Sequence, residues 1–145
     1  MNKRAIDYVT EDFYESLSFM DGELPDLDTV RELFYGDGLL INMSFGKPVT
    51  YSAESFTAAL EQAIGEEQLT QFMQRELYST TEIFGHIAQR VSVYEYSLVY
   101  DETDDLPKGI NYIQFIQADD HWRITSMIWS DESANFRVPE EFVSG

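Results

Sequence analysis

In the first part of the chain, apolar positions recur at steps of three and four. Ile6, Val9, Phe13, Leu17 and Met20 fall on one face, which predicts a helix from Lys3 to about Met20. Gly22 stops it. Pro25 and Asp26 then open a shorter helix carrying Leu27, Val30, Leu33 and Phe34 on one side and ending near Tyr35. Gly36 and Gly38 break the chain, and Leu39 to Phe45 reads as a strand closed by Gly46, Lys47 and Pro48. Ser52 is a good N-cap for a third helix whose stripe is Phe56, Ala59, Leu60, Ala63 and Ile64, with Gly65 at its end.

Beyond Gly65 the period changes. Phe72 to Phe84, Ile87 to Tyr100 and Ile110 to Trp129 are rich in Val, Ile, Thr, Tyr and Phe, as strands are. Ala118-Asp119-Asp120-His121 interrupts the last of these, so it is a hairpin rather than one strand, and Asp101 to Lys108 joins it to the stretch before. Helices first and an antiparallel meander second predict a layered α+β fold in one domain spanning residues 1–145, with helices on one face of the sheet. The tail from Ser133 to Gly145 carries Phe136, Val138, Phe142 and Val143, too apolar for a free polar extension.

A turn centred on Asp119-Asp120 fixes the hairpin pairing: Gln117 faces Trp122, Phe115 faces Ile124, Ile113 faces Ser126, and Asn111 faces Ile128. This mostly apolar set is assigned inward. The opposite face, with Ile110, Tyr112, Met127 and Trp129, is then a large apolar patch on the outside. Either a partner or the C-terminal tail covers it. On the stretch from Ile87 to Tyr100, the more aliphatic face (Ile87, Gln89, Val91, Val93, Glu95) is assigned inward, against Ala88, Arg90, Ser92, Tyr94 and Tyr96. That places Glu95 where desolvation raises a carboxylate toward the range of a general base.

Charge narrows the partners. With 9 Lys and Arg against 27 Asp and Glu the formal charge is −18, which repels phosphate backbones and anionic lipid, so neither nucleic acid nor membrane is expected. No stretch approaches the roughly 18 consecutive apolar residues of a membrane span, and no apolar run follows Met1-Asn2-Lys3-Arg4, so the cytoplasm is the expected compartment. Cysteine is absent, which removes disulfides, thiolate ligands and thiol nucleophiles from this chain. His86 and His121, both expected at the surface, are far apart with no carboxylates at ligand spacing, so no metal or other cofactor is expected. The acidic run Asp101, Glu102, Asp104 and Asp105 lacks the glycine register of a calcium loop, and Gly36-Asp37-Gly38 is too short to cradle phosphate.

The order of elements, with Gly85-His86-Ile87-Ala88-Gln89 opening a long strand and Gly109-Ile110-Asn111-Tyr112-Ile113-Gln114-Phe115 leading into a hairpin that ends in His121-Trp122-Arg123-Ile124, resembles the nuclear transport factor 2-like superfamily. The resemblance runs from about Ala5 to Glu132 and lies in packing motifs, which specify fold rather than activity. It implies helices held in the concavity of a strongly curved, mostly antiparallel sheet shaped like a cone, with a pocket at the open end. Members include ketosteroid isomerase, scytalone dehydratase, polyketide cyclases of the SnoaL type and many non-catalytic proteins. The cyclases often carry His near the end of the last strand, where this chain has Ser126 and Ile128.

The expected function is binding of a small apolar or amphipathic ligand in a pocket lined by Asn111, Ile113, Phe115, Trp122, Ile124, Ser126 and Ile128. One alternative is an isomerase, dehydratase or cyclase with Glu95 as base and Asn111, Ser126 or a pocket Tyr holding an oxyanion. Another is a non-catalytic dimeric module. In each, the outer sheet face is expected to form a homodimer.

Overall fold

The computed structural model describes residues 2–98 and 105–142. Helix α1 (Asn2–Leu17) leads into a short α2 (Leu27–Glu32), then β1 (Phe34–Asn42), β2 (Val49–Tyr51) and α3 (Ala53–Gly65). The meander follows as β3 (Met73–Phe84), β4 (Ile87–Ser97), β5 (Lys108–Ala118) and β6 (His121–Asp131). The expected strand end at Val99-Tyr100, the acidic run through Asp104 and the last residues from Val143 lie outside the described residues.

Local chemistry accounts for most boundaries. Asp26 caps α2 by accepting from the Thr29 amide at 3.2 Å. Ser52 and Ser55 form a reciprocal capping box at the start of α3. Asp119 and Asp120 both take positive φ, 52° and 66°, making the two-residue turn between β5 and β6 that the twist of paired strands favours.

The sheet runs β2-β1-β6-β5-β4-β3, antiparallel at every step except the parallel β1–β6 pair. Helix α1 touches both β6 and β3 although β5 and β4 lie between them, so the sheet curls around it. Ile6, Phe13, Tyr14 and Leu17 from α1 pack with Val30, Phe34, Leu40, Phe115 and Ile124 in one core. Each such side chain contributes about 1.5–3 kcal/mol by burial.

The sequence pattern misplaces one start. Gly36 and Gly38 do not break the chain: β1 already begins at Phe34, and its register against β6 slips between Phe34 and Leu39. Gly38 sits at φ 69°, and a Cβ there would come within 2.6 Å of the Phe34 ring. The glycines therefore bulge a strand, so the second helix ends at Glu32 rather than near Tyr35.

The C-terminal segment folds onto the convex face of the sheet. Phe142 stacks on Tyr78 of β3 with ring centroids 5.1 Å apart, and the Val138 amide donates to Glu132 at 3.1 Å. Val93, a convex-face residue paired with both Tyr78 and Ile110, is fully buried.

Candidate functional site

The site depends on a register shift in β6. Gln117 faces Trp122 and Phe115 faces Ile124, but Gln114 faces Ser126, Ile113 faces Met127 and Asn111 faces Trp129. Thr125 is the extra residue, its hydroxyl donating to the Gln114 carbonyl at 3.2 Å. One inserted residue moves every later side chain to the other face. The inward assignment of Ser126 and Ile128 is therefore corrected: both point to the convex side, while Met127 and Trp129 point into the concavity. Met127 is buried, and the Trp129 ring meets Phe56 of α3 edge-on at 5.9 Å.

The face assigned inward on β4 is also reversed. Ala88, Arg90, Ser92 and Tyr94 pair with the inward residues Phe115, Ile113, Asn111 and Gly109. Polar groups occupy this face because α1 and β3 satisfy them. Arg90 bonds Glu76 on β3 and Asp7 on α1, while Ser92 bonds Glu76 and Tyr14. Burial works against the charges of Arg90 and Asp7, but hydrogen bonds and fields prevail, those of Glu76 and then Asp7 raising the Arg90 pKa and those of Arg90 and Lys3 lowering that of Asp7. Glu95 stands on the convex face, paired with Arg75 at 2.5 Å, and is not among the residues lining the concavity. The aliphatic Val93 misled the sequence reading because it is buried on the convex face, where it pairs with Tyr78, the residue on which Phe142 stacks.

Between α1, α3 and the concave face lies a cavity of ≈ 330 Å³. Its walls include Phe13 from α1, Phe56 and Leu60 from α3, Phe72 ahead of β3, Tyr96 from β4 and Trp129 from β6. Gln74, Asn42, Asn111 and Asp131 are the polar residues that reach it. Asp131 accepts from the Tyr94 hydroxyl at 2.6 Å. Burial, then the neighbouring Asp131 carboxylate, drives the Tyr94 pKa upward, so Tyr94 stays a proton donor. Gly109 makes room for that contact, since a Cβ there would stand 2.3 Å from the Tyr94 oxygen and 2.7 Å from the Ser130 carbonyl. Asn111 is buried, its Oδ1 has no hydrogen-bond partner, and its side chain lies against the Tyr14 hydroxyl and brings its amide nitrogen to Met127 Sδ at 3.6 Å. Among the described residues, no three His, Asp or Glu side chains converge as metal ligands would.

No protein-family model matches the sequence, and no curated protein matches it. Solved structures do. A nuclear transport factor 2-like protein of unknown function from Pseudomonas putida superposes with a TM-score of 0.71 over 96% of this chain and 95% of its own, at 12% identity. A protein of unknown function with a cystatin-like fold from Nostoc punctiforme gives 0.68 over 91% and 92%, at 15% identity. A nuclear transport factor 2-like protein of unknown function from Shewanella oneidensis gives 0.65 over 90% and 100%, at 18% identity.

The fold is nuclear transport factor 2-like.

Within this nuclear transport factor 2-like fold, the expected ligand-binding residues divide into three groups. Asn111 lines the cavity. Ile113, Phe115, Trp122 and Ile124 are buried core residues away from its lining. Ser126 and Ile128 lie outside. Sequence reasoning missed Asp131, Tyr96, Trp129 and Met127. Side-chain size carried a signal for two of them: beyond Thr125, Met127 and Trp129 form a bulkier apolar pair than Ser126 and Ile128 and fill the concavity better. Asp131 gave no such signal, because a carboxylate closing a strand looks like the start of a turn.

Proposed function

We propose that this chain is a small-molecule-binding domain whose ligand site is the cavity between α1, α3 and the concave sheet face. The observation that carries the reading is a mostly apolar cavity of ≈ 330 Å³ into which a few polar groups converge. That combination suits a ligand site, for which volumes of about 300–1,000 Å³ are typical. The neutral dye Nile red tests it. Its emission is expected to shift to the blue and saturate at one equivalent per chain, and Leu60→Trp, which fills the cavity, should abolish this without lowering Tm. Equal binding by Leu60→Trp would place the dye elsewhere and sink the reading.

We propose further that two chains pair through the convex face. Tyr112 and Ile128 are cross-strand partners there, with 57% and 44% of their surfaces exposed. Of the four residues assigned to this patch from sequence, Ile110 and Tyr112 stay outward, Met127 and Trp129 turn inward, and Ile128 joins. The C-terminal segment stacks Phe142 on Tyr78 and borders Tyr112 and Ile128 through Phe136, Arg137 and Val138, yet leaves both of them substantially exposed. A two-fold axis would let this apolar strip cover itself.

A further inference from the structure

We propose that the cavity is built for a cationic amphiphile, a protonated amine on an apolar body, with Asp131 receiving the charge. This rests on the ligand-binding reading above and names the ligand's chemistry. Asp131 is the one charged residue in the lining, and no Lys, Arg or His joins it there. Tyr94 occupies Oδ1, and among the described residues nothing donates to Oδ2 and no cation pairs with the carboxylate. Asp131 is partly buried at the rim of an apolar cavity, and a cation bound there gains a carboxylate partner without displacing another.

Two independent features point the same way. Asn111 is 3% exposed, and its Oδ1 is a buried acceptor with no hydrogen-bond partner, which makes this wall of the cavity polar without neutralising Asp131. The Asp131 carboxylate accepts and cannot donate, so the head group that suits it is a donor; an ammonium, with up to three N–H groups and no lone pair, has that character. The remaining walls are rich in aromatic rings. Trp129 lies two residues before Asp131 on the same face of β6, and Tyr96 lies two beyond Tyr94 on β4. Aromatic faces attract cations within about 6 Å of the ring centroid, most strongly when water is excluded.

The same arrangement discriminates against anions. A carboxylate or phosphate ester entering the cavity would lose its hydration beside an unneutralised Asp131 with no cation in reach. The net charge of −18 extends this preference outward, raising the local concentration of cations and lowering that of anions.

The test is a titration calorimetry series at neutral pH with phenylbutylamine, phenylbutanol and phenylbutyrate, which share a body and differ in head group. The amine is expected to bind about tenfold or more tighter than the alcohol, equivalent to about 1.4 kcal/mol, and the carboxylate to bind weakest. Asp131→Asn retains an acceptor for Tyr94 and should bring amine and alcohol to equal affinity. An alcohol that matches the amine in the wild-type chain, or a carboxylate that exceeds it, overturns the charge inference and leaves the cavity reading standing. Failure of all three to bind overturns the inference as well, and loss of Nile red binding in the same preparation would then bring down the cavity reading with it.

Discussion

Arg90 meets both carboxylate oxygens of Glu76 on the neighbouring strand, Nε to Oε2 at 3.0 Å and Nη2 to Oε1 at 2.5 Å. Nη1 reaches across to Asp7 of α1 at 2.6 Å and to Thr81 at 2.9 Å, so a single guanidinium ties β4 to β3 and to the helix above them. Its side chain is 4% exposed, and removing it leaves the partly buried Glu76 and Asp7 carboxylates without the cation they share. Arg90→Met is expected to destabilise by about 3–5 kcal/mol, read from the urea midpoint at unchanged m-value. Arg90→Lys should recover little of it, because an ammonium cannot span Glu76, Asp7 and Thr81 together. A loss under about 1 kcal/mol for Arg90→Met would show that the cluster is solvated and weak.

Stability should fall at alkaline pH. The Tyr14 phenol is pushed up to about 12, chiefly by burial, from an ordinary value of 10.0. Tyr94 is raised too, by burial and then by Asp131. A group whose folded pKa exceeds its unfolded one contributes stability that is complete below the unfolded pKa and is lost as pH rises toward the folded pKa. The decline should therefore begin near pH 10.0 and continue past about 12. Tyr14→Phe is expected to shallow this slope in thermal melts, and Ser92 keeps a partner because it also donates to Glu76 at 2.6 Å. Wild-type and Tyr14→Phe curves that run parallel across this range would contradict the assignment.

Thr125 matters as a residue count more than as a side chain. Deleting it forces β6 either to pull Ser126 and Ile128 inward and Met127 and Trp129 outward, or to lose its pairing with β1 and β5. The deletion is expected to abolish cooperative unfolding, while Thr125→Ala, which removes only the bond to the Gln114 carbonyl, should cost about 1 kcal/mol. Near-infrared or near-ultraviolet spectroscopy is not needed for a first answer: a sharp calorimetric transition in the deletion variant would refute the account.

The convex-face dimer predicts a charge-sensitive equilibrium. Two chains of −18 repel, and the repulsion is screened beyond about 10 Å at 0.1 M ionic strength, so association should strengthen with salt. Sedimentation equilibrium at micromolar concentration is expected to give twice the chain mass, and Ile128→Asp, on the exposed side, should halve it without lowering Tm. A monomer at every salt concentration would end the proposal.

Much of this architecture was legible in the sequence, and the failures share a cause. The α1 and α3 stripes, the Ser52 cap and the Asp119-Asp120 turn are local signals, each carried by residues within a few positions of one another. The inward face of β4 is not local. Arg90, Ser92 and Tyr94 belong inside only because Glu76, Asp7, Tyr14 and Asp131 arrive from other elements to satisfy them, and alternation alone favours the aliphatic Val91 and Val93. The Thr125 bulge stayed hidden because the strand is apolar on both sides, so a one-residue slip leaves the pattern looking equally sound. Those two errors fell on the cavity, which is why the core was readable from the chain and the candidate site largely was not.

The stack of Phe142 on Tyr78 has a kinetic side. β3 is the outermost strand of its edge, with β4 as its one neighbouring strand, and such strands are ordinarily the first to exchange their amide hydrogens. Here the C-terminal segment runs from the end of β6 to β3 and stacks Phe142 on Tyr78, so peeling the edge strand away also breaks that contact. Opening of β3 and release of residues 140–142 are therefore expected to be coupled, so that amide exchange at the sheet edge is slowed by a contact between residues far apart in the sequence, with Tyr78 and Phe142 as its two ends.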